Sequence, residues 1–278
     1  FDSRSGLEIF VDEHFLITSV CLVILLSVAR YCATQGFRVL THKILRPAGV
    51  AIVKEEYSWH GADSSWFCGF YSFVLALSAL NLFFAPWLWD SSQYWVNQGI
   101  VIPPLPLWLK AVYHLQFAHY LSDILFLLLG WSTKVPQHEK LALLVHHLVM
   151  LFVVGFSFAV SEFRMGSVIL LIHDLSTPLY EASNAARYIG WNEASNLLYT
   201  IYALVYLVTR MIAFPIRVLL AIPMHFPASV YYAFTTCGPP TVDGGCLSEP
   251  LFTINFYYIW ICILGLLYLT HLPWSVFI

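Results

Sequence analysis

LALLVHHLVMLFVVGFSF, residues 141–158, and FRMGSVILLIHDLSTPLYEA, residues 163–182, are apolar runs with only four residues between them, and each carries ionisable groups in its interior. A run of about 20 apolar residues matches the roughly 30 Å of hydrocarbon in a bilayer. Two runs joined by so short a turn lie side by side and antiparallel. The reading places His146, His147, His173 and Asp174 inside the membrane.

The rest of the chain agrees. Of 278 residues, 59% are apolar and 10% are Asp, Glu, Lys or Arg, with a mean hydropathy of +0.74; soluble domains carry about 25% charged residues. Hydropathy windows predict seven spans, at about 15–33, 66–88, 107–131, 141–160, 163–182, 197–222 and 251–272. The expected fold is an all-α integral membrane protein. The first span follows FDSRSGLEIFVDEH, which has no basic leader region, and is expected to be a true span rather than a cleaved signal. With a net charge of -3 and no large basic cluster, nucleic acid is not an expected partner.

Basic residues accumulate on the cytosolic side of membranes. Arg30, Arg38, Lys43, Arg46 and Lys54 flank or occupy the connection between spans 1 and 2, Lys134 and Lys140 lie between 3 and 4, and Arg187 between 5 and 6. Loops 89–106 and 223–250 contain no Lys or Arg. The N-terminus is therefore expected on the lumenal side and the C-terminus in the cytosol. Residues 34–65 mix apolar and basic positions and predict an interfacial helix on the cytosolic leaflet. Trp87, Trp89, Tyr94, Trp95 and Trp108 sit where aromatic anchors occur.

Cys21, Cys32, Cys68 and Cys262 lie in or beside spans and are expected to pack as small apolar groups. Cys237 and Cys246 bracket CGPPTVDGGC on the expected lumenal side, where the redox environment permits a disulfide between them; two free loop thiols are the alternative.

The intramembrane groups define a polar face. At 1.5 Å per residue, His146 and His147 lie about 8 Å from the cytosolic end of their helix and His173 roughly 13 Å from the end of the next, so the rings share the cytosolic half of the bilayer. His173, Thr177, Tyr180 and Asn184 follow helical spacing, and Asp174, Pro178 and Glu181 form the adjacent stripe. An Asp near the centre of a span costs about 2.5–3.5 kcal/mol on insertion scales and must face a polar cavity or a partner. Histidines that merely hydrogen-bond helices together are the plain alternative. That alternative is the expectation for His114, His119 and His271, and a structural role is also expected for His14, His42, His60 and His225 outside the spans.

These residues resemble a known family. The region from about 54 to 272 is similar to the TLC domain (the TRAM/Lag/CLN group) and, within it, to the ceramide synthases. His146–His147, Phe156–Ser157, Arg164 with Gly166, and His173–Asp174 with Ser176 and Glu181 reproduce the Lag motif in order. PWLWD at 86–90, Trp95, Tyr113, Gln116 and Tyr120 upstream, and Arg210, Phe214 and Pro215 downstream, add to the likeness. Where ceramide synthases show HD-x-S-D-x-x-L-E-x-x-K, this chain has Thr177, Tyr180 and Asn184 in place of the second Asp, the Leu and the Lys. Met150, Ser161 and Glu139 depart from the pattern as well.

The resemblance implies an N-terminal segment, 1–53, followed by a TLC domain, 54–278, whose six helices surround a central chamber. It implies an enzyme of the endoplasmic reticulum that moves a fatty acyl group from acyl-CoA, a co-substrate, to a long-chain base. No metal or other cofactor is expected. His146, His147 and His173 are the expected base or acyl-accepting nucleophile, with Asp174 orienting one ring. Arg164, Ser176, Thr177, Tyr180, Glu181, Asn184 and Tyr120 are the expected substrate contacts. On an α-helix adjacent His146 and His147 point about 100° apart, so one is expected to face the chamber and the other a neighbouring helix. Membrane lipids, and a homodimer or a larger membrane complex, are the expected partners. The alternatives from other classes are a non-catalytic TLC-fold lipid-binding or accessory subunit, and a b-type haem protein drawing on the paired histidines. A retinal protein is excluded, because no Lys follows Lys140.

Overall fold

The computed structural model describes residues 13–45, 47, 58–94, 106–129, 140–159, 162–225 and 250–277, and the elements among them are all helical. In chain order they are α1 (Glu13–Leu40, continued by a wide π-helical turn over Thr41–Leu45), α2 (Ser58–Leu82), the single turn α3 (Pro86–Trp89), α4 (Leu107–Leu128), α5 (Lys140–Ala159), α6 (Phe163–Asp174), α7 (Thr177–Tyr188), α8 (Asn192–Tyr206) and α9 (Pro250–Phe277). Helix α8 runs on through π-helical turns at Leu207–Ala213 and Pro215–Leu219. Cys237 and Cys246 lie outside the described residues. Cys21, Cys32 and Cys262 are exposed free thiols on the outer faces of their helices, and Cys68 is a half-buried one.

Polarity is distributed as lipid requires. Leu80, Phe84, Leu128, Leu141, Leu197 and Leu204 point outward and are well exposed, Phe84 at 86%. Arg30, Asp63, Gln116, His119, Asp123, His147, His173, Asp174, Arg210 and His271 are buried. A water-soluble domain seldom buries so many ionisable side chains, whereas a bilayer drives them inward. Among the described residues four helices are long and apolar enough to cross a membrane: Ile17–Ile44, Gly61–Leu82, Lys140–Ala159 and Asn192–His225. Within α9, Tyr258–Leu272 is a shorter apolar helix.

Two expectations change. Residues 34–45 continue α1 and residues 58–65 open α2, while the rest of the expected interfacial helix, 46 and 48–57, lies outside the described residues. The hydroxyls of Thr34 and Thr41 each donate to the carbonyl three residues earlier, so the helix carries these polar side chains without breaking. The predicted fifth span is not one rod but two helices, because Leu175 and Ser176 interrupt it between α6 and α7. Pro178 has no N–H for the Asp174 carbonyl, and α7 restarts around it with Pro in its first turn. At its other end α7 stops in a Schellman arrangement: Gly190 is left-handed (φ 81°), its N–H reaches the Arg187 carbonyl, and the Trp191 N–H reaches that of Ala186.

Helix α6 approaches α4 and α5 closely. A Cβ on Gly166 would collide with the Tyr113 hydroxyl and with Ser157 Oγ, 2.7 Å away. Tyr113 donates to the Phe163 carbonyl at 3.2 Å, and Ser157 donates to the Val154 carbonyl at 3.1 Å. The Phe-Ser and Arg-x-Gly elements of the sequence thus form one knot that seats α6, and with it His173 and Asp174, in the bundle.

Candidate functional site

Helices α4 to α9, with Arg30 of α1 and Phe67 and Tyr71 of α2, enclose a cavity of about 740 Å³. That lies within the range of roughly 300–1,000 Å³ usual for small-molecule sites. His146, His147, His173 and Asp174 all line it, as do Tyr120, Thr177, Tyr180, Glu181 and Asn184. The Lag-motif histidines, Asp174 and Glu181 therefore converge on one space.

Both paired histidines reach the cavity, contrary to the expectation that only one would. They diverge within it. His146 turns towards α9, where its Nδ1 lies 3.2 Å from Thr270 Oγ1. Thr270 spends its hydroxyl hydrogen on the Leu267 carbonyl at 2.7 Å, so Nδ1 of His146 is the donor and its Nε2 keeps a lone pair. His147 turns towards α4, edge-on to Tyr120 with ring centroids 5.5 Å apart, and its Nδ1 lies 3.9 Å from Asp123 Oδ2.

His173 donates from Nδ1 to the Ile169 carbonyl at 2.8 Å, which leaves Nε2 facing Nε2 of His271 at 3.1 Å. Arg210 donates through Nη1 to that same His271 nitrogen at 3.1 Å and through Nη2 to the His173 carbonyl. The Thr177 hydroxyl also donates to this carbonyl, at 3.1 Å. The break after α6 freed that oxygen, and two donors satisfy it. The wide turns of α8 carry Arg210 inward: Phe214 N–H bonds to Thr209, five residues back, and Pro215 supplies no N–H of its own.

Asp174 does not orient a histidine. Its Oδ2 accepts from Gln116 Nε2, and its Oδ1 is buried without a partner. Gln116, on the buried face of α4, reaches it before any ring does.

Two expected substrate contacts fall elsewhere. Ser176 is buried outside the cavity wall. Arg164 sits at the start of α6, about 13 Å along the helix axis from His173; it donates to the Gln93 carbonyl at 2.8 Å and lies over the Trp87 ring at 5.5 Å. It fastens the 86–94 segment, which Arg217 also holds through the carbonyls of Trp89 and Leu88. Within that segment the hydroxyl and backbone N–H of Ser92, with Gln93, hold the Asp90 carboxylate below its ordinary range.

The cavity also contains groups that sequence reading assigned elsewhere. Arg30 counted only as a cytosolic-side charge and His271 only as structural, whereas Asp123 in the third span drew no notice; all three line the cavity. Helical spacing of Tyr199, Tyr202 and Tyr206 on α8 is visible in the sequence, and with Tyr180 these rings form an aromatic wall, centroids 5.0–5.7 Å apart. Among the described residues no group of three or more His, Cys, Asp or Glu is arranged to hold a metal ion.

A family model of the TLC domain (TRAM, LAG1, CLN8) matches residues 61–278. Ceramide synthase 4 of Bos taurus is 32% identical over 157 residues, 56% of this chain and 38% of that protein. Ceramide synthase 4 of Mus musculus is 31% identical over 214 residues, 76% of this chain and 47% of that protein. ASC1-like protein 3 of Oryza sativa is 26% identical over 221 residues, 75% of this chain and 72% of that protein. The chain spans about two fifths to one half of the ceramide synthases it matches.

Proposed function

This chain belongs to the TLC-domain family, and from that premise we propose that it is a ceramide synthase-like N-acyltransferase, moving a fatty acyl group from acyl-CoA to the amine of a long-chain base. The observation that carries the proposal is the convergence of His146, His147, His173 and Asp174 on one cavity. In this reading the chain crosses the endoplasmic reticulum membrane about seven times, six of the spans forming the bundle around the cavity, with the N-terminus lumenal and the C-terminus cytosolic. The site then opens towards soluble acyl-CoA.

The chemistry follows from the rings. The acceptor amine arrives mostly protonated, and a neutral imidazole is suited to take its proton. His146 is the base of choice, because Nδ1 is committed to Thr270 and Nε2 retains its lone pair. The freed amine attacks the thioester carbonyl, the C–N bond forms, the C–S bond breaks, the CoA thiolate leaves with the proton held by His146, and the new amide nitrogen gives its surplus proton to the emptied His146 ring and from there to water. His147, which faces the same cavity, is the alternative acyl acceptor for a two-step transfer. Tyr120 and the α8 tyrosines wall the space for the two lipid chains.

A second reading is supported by one observation: Thr177, Tyr180 and Asn184, three of the departures from the family pattern, all line the cavity. It is a TLC-fold subunit that binds lipid without acylating it, within a homodimer or a larger membrane complex. One experiment separates them. The chain is expressed in cells lacking ceramide synthase and N-acylation is followed with labelled long-chain base and acyl-CoA. Acylation that survives the combined change of His146, His147, His173 and Asp174 to Ala sinks the mechanism; no acylation by folded wild type at any chain length supports the subunit.

A further inference from the structure

Helix α1 lies outside the matched domain, yet it is bound to it by polar contacts. Phe15, Ser19, Val23, Ser27, Arg30 and Thr34 follow one helical stripe. Along it Phe15 stacks on Phe158 at 4.2 Å, Ser19 Oγ lies 3.4 Å from His114 Nδ1, and Ser27 bonds Ser122 at 3.1 Å. The stripe leads to Arg30, which is 5% exposed and lines the cavity.

The Arg30 guanidinium makes a two-pronged contact with Asp63, Nε to Oδ1 at 3.1 Å and Nη2 to Oδ2 at 3.0 Å, and Nη1 reaches Asp123 Oδ1 at 3.0 Å. The rings of Phe67 and Phe126 cover it at 4.6 and 4.4 Å. Each of its three nitrogens donates to one of the two carboxylates and both faces are covered by rings, so it is fixed in place. Asp123 is held through Oδ1, and its other oxygen points at His119 Nε2, 3.7 Å away, and at His147 Nδ1, 3.9 Å away. His119 already shares its Nε2 with the Tyr71 hydroxyl at 2.8 Å. Nδ1 of His147 has no hydrogen-bond partner. The carboxylate and the ring nitrogen that lacks a partner thus face each other across a gap that a small rotation closes, as gaps in unliganded sites commonly do.

We propose that Asp123 is the carboxylate that orients His147, and that Arg30 of α1 is a positioning residue holding Asp123 for this task, so that a helix outside the TLC domain completes the site. The inference rests on the acyl-transfer reading for its consequence, not for its geometry. Asp174, tied to Gln116, leaves the role open. With Asp123 accepting from Nδ1–H, the Nε2 lone pair of His147 is directed into the cavity.

The test uses the full chain, purified, with sphinganine and palmitoyl-CoA. Asp123→Asn lowers kcat at least 30-fold with KM within twofold, whereas Asp123→Glu, whose extra methylene spans the gap, stays within fivefold of wild type. The decisive measure is a double-mutant cycle: in a His147→Ala background, Asp123→Asn changes the rate less than twofold. Arg30→Met alone strands two buried carboxylates, so it is made together with Asp63→Asn, and this folded pair loses at least tenfold in kcat. Full additivity of Asp123→Asn with His147→Ala, or wild-type kcat in Asp123→Asn, overturns the proposal. Wild type inactive towards every amine defeats the acyl-transfer reading alone. The geometry is then tested by diethyl pyrocarbonate at pH 8.5, where Asp123→Asn slows modification of His147 at least threefold relative to His146; equal slowing of both, or none, overturns the proposal.

Discussion

Nε2 of His173 and Nε2 of His271 face each other at 3.1 Å, one from α6 and one from α9. Arg210 can only donate, so His271 Nε2 accepts from it and has no hydrogen to give His173, whose own Nε2 carries a lone pair when neutral because its Nδ1 donates to the Ile169 carbonyl. His271 therefore couples Arg210 to a Lag-motif ring, and a hydrogen between the two rings comes from His173 when that ring is protonated. His271→Ala is expected to lower acyl transfer at least tenfold, because it strands the buried Arg210 donor beside His173. His271→Asn, whose amide oxygen accepts from Arg210 while its NH2 reaches His173 Nε2, is expected to recover a large part of the rate. Initial rates of the two variants check this, and equal rates would exclude a polar role for position 271.

Arg210 ties this pair to the backbone break by donating to His271 and to the His173 carbonyl. Lys offers a single point charge in place of two directed N–H groups and cannot serve both acceptors. Arg210→Lys is expected to cut activity at least tenfold and to lower thermal stability by about 1–3 kcal/mol, the cost of a buried acceptor left without its charged donor. A thermal melt in detergent, read beside the rate, measures both.

The contrast between these residues and the ones that stood out in the sequence has a physical cause. His146, His147, His173 and Asp174 were legible because ionisable groups clustered on two adjacent apolar runs have no cheap explanation in lipid. Arg30, Asp123 and His271 sit singly, each on a different helix, and a lone polar group in or beside a span has a sufficient explanation in topology or helix pairing; Arg210 stands out in the sequence only through the family likeness, which names no partner for it. Only packing brings them together. The same limit hid the break between α6 and α7: Pro178 marked a lost hydrogen bond, but the donors that satisfy the freed His173 carbonyl come from Thr177 and from Arg210, 37 residues further along. It also explains Arg164, whose motif position suggested substrate while its partners are Gln93 and Trp87.

Gly166 has no room for a side chain, because the Tyr113 hydroxyl and Ser157 occupy the place of its Cβ. Gly166→Ala is expected to destabilise the protein by about 1–3 kcal/mol, as overpacking does. Removing the hydroxyl opens space, so Gly166→Ala with Tyr113→Phe is expected to regain at least half of the lost melting temperature. No rescue would mean that Ser157 alone sets the spacing.

Arg164 is expected to matter for stability and not for substrate. Arg164→Met removes the bond to the Gln93 carbonyl and should cost about 1–2 kcal/mol, while KM for both substrates stays within twofold. The neighbouring Asp90 carboxylate, lowered by Ser92 and Gln93, contributes in full above its unfolded value, and the contribution fades as pH falls from there through the lower folded one. Melting curves between pH 5 and pH 8 should therefore show no dependence on Asp90, so wild type and Asp90→Asn should differ by a constant offset; an offset that changes across that interval would contradict the assignment.

Thr177 decides how the departures from the Lag motif are read. Its hydroxyl donates to the His173 carbonyl at 3.1 Å, a task that an ionised Asp, the family's residue there, cannot perform because it has no hydrogen to give. The hydroxyl is thus a local solution to the helix break, shared with Arg210. Thr177→Val keeps the shape and removes the donor. With Arg210 still in place, the carbonyl keeps one partner, so the expected loss is about 0.5–1.5 kcal/mol of stability and less than threefold in acyl transfer. A tenfold loss of rate without a loss of stability would instead place the Thr177 hydroxyl on the substrate, and would make position 177 part of the chemistry and not of its scaffold.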